Sequence, residues 1–83
     1  MKTGIVTGSV WSTKKVKGLT GLTLLSVETD RECIVAADLV GAGEGDLVLL
    51  TFGSGARVGE EDLPIDAAIV GILDMQEERH VRQ

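Results

Sequence analysis

The alternation of apolar and polar residues along the chain predicts short β-strands joined by tight turns. Runs of Val, Ile and Leu are separated by clusters of glycine and polar residues, a pattern typical of all-β domains. Five strands are predicted, at residues 4–12, 22–28, 33–37, 46–52 and 67–73. We expect a hairpin between the second and third strands, around the polar turn at 29–32. Gly8 interrupts the first alternation and predicts a bulge or sharp bend there.

Two of the predicted strands contain nearly continuous apolar runs, at residues 47–50 and 68–73. A strand with one face in water alternates polar and apolar side chains, so we expect both faces of these strands to be buried. So small a barrel has few elements to cover its outside, and the second face is expected to pack against another copy of the chain. Burial within the core of a compact monomer is the alternative that the pattern leaves open.

Composition and charge restrict the partners. A chain of 83 residues predicts one domain, spanning 1–83. Thirteen acidic residues against eight basic ones give a net charge of -5, which opposes binding to nucleic acid and to anionic membrane surfaces. Trp11 and Phe52 are its only aromatic residues, and no run of apolar residues is long enough for a signal peptide or a membrane span. Cys33 is the single cysteine, which favours a reducing cytoplasm.

Candidate catalytic chemistry is sparse. Ser54 has no nearby base in the sequence, since the one histidine is His80 in the polar tail. The glycine-rich turn at 41–45 lacks phosphate-loop spacing and precedes a strand instead of a helix. Asp38 and Asp66 leave open a small acid/base enzyme, which needs two carboxyl groups in one pocket. We predict that the chain is not an enzyme and has no catalytic residue, no cofactor and no metal site.

Four groups of residues occur together, in order and over most of the chain. They are Val6, Gly8, Val10 and Lys15; Asp38, Gly41, Gly43 and Gly45; Gly53, Ser54, Ala56 and Arg57; and the segment 64–74, PIDAAIVGILD. Together they resemble the pentameric vertex proteins of bacterial microcompartments, a family that includes the carboxysome pentamer and its counterparts in ethanolamine, propanediol and glycyl-radical compartments. Two residues depart from the family pattern: Gly55, where many members carry a second serine, and Trp11, where a smaller residue is common.

The resemblance implies a five-stranded small barrel related to the oligonucleotide-binding (OB) fold, with a short C-terminal helix or tail. It also implies a homopentamer that closes the vertices of a microcompartment shell in the bacterial cytoplasm, where its partners are other copies of itself and hexameric shell proteins. Fivefold units supply the curvature that flat sheets of sixfold tiles lack, and a head-to-tail interface can close at five. Neither nucleic acid nor membrane is expected as a partner.

Six residues are candidates for the subunit interface or the central opening. They are Asp38, Gly41, Gly43, Gly45, Ser54 and Arg57. The Arg57 guanidinium is expected to pair with a carboxylate of a neighbouring chain, such as that of Asp38, with an ordinary solvated arginine as the alternative. The alternative function is an OB-like barrel that binds single-stranded nucleic acid or another anion through the lysine-rich loop at 13–21.

Overall fold

The described part of the protein forms a closed barrel of five β-strands. The computed structural model describes residues 1–11, 21–53, 56 and 65–74. The strands are β1 Lys2–Val10, β2 Leu24–Glu28, β3 Cys33–Asp38, β4 Leu47–Phe52 and β5 Ala67–Ile72. Their order around the barrel is β1-β2-β3-β5-β4, which confirms the predicted all-β, five-stranded barrel. The predicted C-terminal helix or tail lies outside the described residues.

Neighbouring strands pair antiparallel except β3 and β5, which are parallel. The predicted hairpin of β2 and β3 is present, with Leu24 opposite Ala37 and Glu28 opposite Cys33. β1 starts two residues earlier than predicted because Lys2 already pairs with Leu50 of β4, a partner that the local sequence does not reveal. The register of β1 against β2 shifts between Val6 and Gly8, which confirms the irregularity predicted at Gly8.

The barrel interior is filled by aliphatic side chains, which alternate with more exposed residues along β2 and β4. In β2, Leu25 and Val27 are buried and their neighbours are not, as expected for a strand with one face in a core. The main cluster of buried residues consists of Val6, Leu25, Val27, Ala36, Val48, Leu50, Ala67 and Ile69. Because these side chains are small, the core is narrow, and the barrel depends on close approach of its strands.

The outer side of β4 and β5 is apolar and only partly covered. Val48 and Leu50 are fully buried, whereas Leu47 and Leu49 between them are only half-buried. Leu73, just after β5, remains 37% exposed. The run at 47–50 therefore has an inward set of residues in the core and an outward set that is only partly buried, as expected if the outward set packs against another copy of the chain. At the start of β5, by contrast, Ala67, Ala68 and Ile69 are all buried within the chain.

No described residue belongs to a helix that is long and apolar enough to cross a membrane. The single domain over residues 1–83 stays a prediction, since residues 75–83 are not described.

Gly4 lies where β1 packs tightly against the end of β2. It is buried, and an added Cβ atom would lie 2.6 Å from Val27 Cγ1 and 2.9 Å from the carbonyl oxygen of Glu28. The carbonyl belongs to the backbone and cannot rotate away, so any side chain at this position forces the two strands apart. The sequence analysis did not single out Gly4.

Replacing Gly4 with alanine is expected to lower the free energy of unfolding by about 1–3 kcal/mol, the usual effect of overpacking a tight core. The matched control is Gly43→Ala, because an added Cβ there has its nearest neighbour, Asp46 Oδ2, at 4.0 Å. We expect the control to change stability by less than about 0.5 kcal/mol. Urea unfolding at one protein concentration measures the stability of both variants. Equal unfolding midpoints for the two variants would contradict the proposed role of the close contact at Gly4.

Candidate functional site

Asp38, the last residue of β3, organises the turn that follows it. Its Oδ1 atom accepts hydrogen bonds from the backbone N–H groups of Val40 and Gly41 at 3.1 Å, and of Ala42 at 3.2 Å. Its Oδ2 atom accepts a second bond from Ala42 N–H at 3.0 Å. One carboxylate thus satisfies three successive backbone donors, which fixes the path of the chain as it leaves the barrel.

The glycine-rich segment continues this turn back to β1. The N–H of Gly43 donates to Asp46 Oδ2 at 2.8 Å, and that of Gly45 donates to the carbonyl oxygen of Val6 at 2.8 Å. Gly41 and Gly45 have φ angles of 80° and 91°, in the left-handed region that glycine adopts without a steric penalty. The N–H groups of Gly41 and Gly43 therefore donate to carboxylates of their own chain, in agreement with a structural role for this segment.

The structure brings four of the six predicted site residues into one connection, between β3 and β4. Gly41, Gly43 and Gly45 lie within it, and Asp38 is the last residue of β3, immediately before it. Ser54 and Arg57 lie outside the described residues, and so do most of the lysine-rich loop and His80. The pairing of Arg57 with Asp38 of a neighbouring chain therefore stays a prediction.

The geometry gives no support to the acid/base alternative. Asp38 is in register with Ile69, and Asp66 lies three residues earlier along the β5 direction, which separates their backbones by roughly 10 Å at the usual rise of a strand. The Asp38 carboxylate is moreover engaged by its own turn. Within the described ranges, no group of three or more His, Cys, Asp or Glu side chains could hold a metal ion.

A patch of outward aliphatic side chains crosses β1, β4 and β5. Ile5 is opposite Leu47, and the N–H of Leu73 donates to the carbonyl oxygen of Leu47, so these three form one row. Leu49, opposite Gly71, belongs to the adjacent row. We call Ile5, Leu47, Leu49 and Leu73 the leucine face. The apolar runs of β4 and β5 revealed most of it in the sequence, whereas Ile5 was missed because its pairing with β4 is long-range.

Comparison with known proteins identifies the family. Residues 1–74 match the family described as ethanolamine utilisation protein EutN/carboxysome. The chain belongs to this family. It is 41% identical over 83 residues to the bacterial microcompartment shell vertex protein EutN of Escherichia coli (strain K12), covering 89% of this chain and 87% of the relative. It is 45% identical over 83 residues to the carboxysome shell vertex protein CcmL of Thermosynechococcus vestitus, covering 89% and 84% respectively.

A solved structure adds an assembly to this EutN/carboxysome family. The chain is similar to the GrpN pentameric microcompartment shell protein from Rhodospirillum rubrum, with a TM-score of 0.77, 42% identity, and coverage of 89% of this chain and 93% of that chain. The resemblance to vertex proteins is thereby confirmed. The relatives are components of microcompartment and carboxysome shells, in accord with the predicted localisation in a shell.

Asp38→Ala is expected to destabilise the fold by about 1–3 kcal/mol, because three backbone N–H groups lose their acceptor. Asp38→Asn is expected to lose less, since its amide oxygen can replace Oδ1, which accepts most of the bonds. Glu44→Ala, an exposed change in the same connection, is the control. Urea unfolding of the three variants checks the expected order of their stabilities. An alanine variant as stable as the control would show that the turn does not depend on the carboxylate.

Proposed function

We propose that this protein is a structural subunit that assembles into pentamers and caps the vertices of a bacterial microcompartment shell, and that it has no catalytic activity. The observation that carries the proposal is the leucine face, on a chain that belongs to the family of shell vertex proteins. The relative GrpN, described as pentameric, supplies the number of subunits.

The leucine face has the properties of a surface that becomes buried between copies. Its side chains are bulky and aliphatic, and Ile5 keeps 41% of its surface in water in the single chain. Burying such residues stabilises an association in proportion to the apolar area removed from water. A cyclic, head-to-tail contact that closes after five subunits forms a cap without a free end.

The candidate site residues enter this proposal in two roles. Asp38, Gly41, Gly43 and Gly45 hold the β3–β4 connection in one conformation, so that the strands on either side keep their place in the ring. Ser54 and Arg57, which lie outside the described residues, are proposed to belong to the subunit interface or the central opening, with Arg57 pairing with a carboxylate of the neighbouring subunit. At its outer edge the ring meets hexameric shell proteins, to which an acidic subunit of net charge -5 presents complementary charge.

The alternative, an OB-like barrel that binds single-stranded nucleic acid, is not favoured. The relatives are shell vertex proteins, and the net charge of -5 opposes binding to a phosphate backbone.

Native mass spectrometry of the wild-type protein is expected to show a homopentamer at low micromolar concentration, and Ile5→Asp is expected to abolish it, because each interface would bury an unpaired charge. Arg31→Asp is the control, since it introduces the same carboxylate at an exposed position in the turn between β2 and β3, outside the leucine face and outside the turn of Asp38. We expect the control to remain pentameric. Circular dichroism shows whether the Ile5 variant keeps its barrel. A wild-type protein that stays monomeric or dimeric would disprove the proposed function.

Arg57→Ala is expected to weaken the ring by about 2 kcal/mol or more per interface, because it leaves the partner carboxylate buried without its charge pair. The free energy of unfolding of the subunit is expected to change by less than about 0.5 kcal/mol. Arg31→Ala, in the exposed turn between β2 and β3, is the control. Sedimentation velocity over a dilution series separates the two effects. Rings of the Arg57 variant that survive dilution as well as wild type would exclude the contact.

A further inference from the structure

A second apolar surface lies on a different side of the barrel, where β1 pairs with β2 and β2 with β3. Val10 is opposite Leu24, and Ser26 is opposite Val35. Leu24 and Ser26 alternate with the buried Leu25 and Val27, so this row of side chains points outward. With the adjoining Trp11, we call Val10, Trp11, Leu24 and Val35 the tryptophan face.

The exposure of the tryptophan face is unusual for a free surface. Trp11 has 88% of its surface in water and Val35 has 50%. A shallow depression of about 80 Å³ lies beside Trp11 and is lined by Ser9, Val10, Trp11, Leu22, Thr23 and Leu24. Tryptophan is among the residues most enriched at the positions that dominate the binding energy of protein interfaces, and Trp11 is exposed beside this depression.

The polar groups next to the tryptophan face can be buried without losing hydrogen bonds. The hydroxyl groups of Thr7 and Ser26 lie 2.6 Å apart. One of the two hydroxyls therefore donates to the other, and the second donates to a backbone carbonyl, either Thr7 Oγ1 to that of Ser26 at 3.2 Å or Ser26 Oγ to that of Gly8 at 3.4 Å. Because these hydroxyls are satisfied within the chain, a partner that covers them imposes little desolvation penalty.

The bulge in β1 places the two faces on one strand but on different sides. Thr3 and Ile5 point outward in the first half of β1, opposite Leu49 and Leu47. After the register shift between Val6 and Gly8, Gly8 and Val10 are the outward residues, opposite Ser26 and Leu24. The leucine face therefore extends over β4 and β5, and the tryptophan face over β2 and β3.

Charge and symmetry identify the occupant. Each copy carries a net charge of -5, so copies repel one another unless they meet at uncharged surfaces. The residues that define both faces are uncharged. A ring that closes by rotation uses a heterologous interface, in which two different patches of the same chain meet. The chain presents two such patches.

We propose that the leucine face of one subunit docks on the tryptophan face of the next, with Trp11 and its depression receiving aliphatic side chains of the neighbour. This inference rests on the proposed pentamer and specifies which surfaces form it. In this arrangement Trp11, one of the two residues that depart from the family pattern, is a contact between subunits.

The first test changes the tryptophan face alone. Trp11→Ser and Val35→Asp are each expected to raise the protein concentration needed for half-assembly by more than about tenfold, as measured by native mass spectrometry. Arg31→Asp is again the control. Both variants change exposed positions, so their circular dichroism and urea unfolding are expected to match those of the control. If the wild-type protein is pentameric and both variants are equally pentameric, the inference is wrong and the proposed function stays intact. If the wild-type protein forms no pentamers, both the inference and the proposed function are wrong.

The second test shows which face meets which. In a Cys33→Ser background, chains that carry Leu73→Cys and chains that carry Val35→Cys are treated with a short bis-maleimide cross-linker. Neither chain alone is expected to form dimers, whereas their mixture forms dimers and the double variant forms a ladder up to pentamers on denaturing gels. Dimers of the Leu73→Cys chain alone would show that leucine faces meet each other. If the wild-type protein is a pentamer but the mixture of the two cysteine variants gives no dimers, the pairing of the two faces is equally refuted.

Discussion

A single sheet closed into a barrel encloses only its inner face, and this constraint governs the rest of the structure. The interior holds a narrow aliphatic core that includes Val6, Val48, Leu50 and Ile69. On the outside of the described strands, apolar residues such as Ile5 and Val35 remain largely in water. In a globular domain with layers on both faces the same runs would be ordinary core residues.

The connection after β3 shows how the chain keeps this small barrel in one conformation. Asp38 lies at the end of the barrel, and its carboxylate binds the backbone of the next turn instead of facing a cavity. Within the described residues Oδ2 accepts a single hydrogen bond, so a contact with Arg57 of a neighbour would add to those that the turn already makes.

Local patterns in the sequence predicted the strands well, because each strand is short and ends at glycine or polar residues. The bulge near Gly8 and the turn built from Asp38, Gly41 and Gly45 also have local causes, namely a break in alternation and a need for positive φ. Gly4 and Ile5 were missed, because their importance comes from pairing with strands that are distant in sequence. The tryptophan face was missed because Val10, Leu24 and Val35 become neighbours only through the particular register in which β1, β2 and β3 pair.

The bulge in β1 explains how one short strand can serve two surfaces. In a regular strand of nine residues, Val10 would share the inward side with Gly4 and Val6, since alternate residues point the same way. The shift at Thr7 changes this phase, so Val10 points outward with Leu24 while Ile5 points outward with Leu47. A side chain is thereby moved from the core to the surface at the point where β1 leaves β4. In the proposed ring, this irregularity allows a chain with a single sheet to present two different faces to its two neighbours.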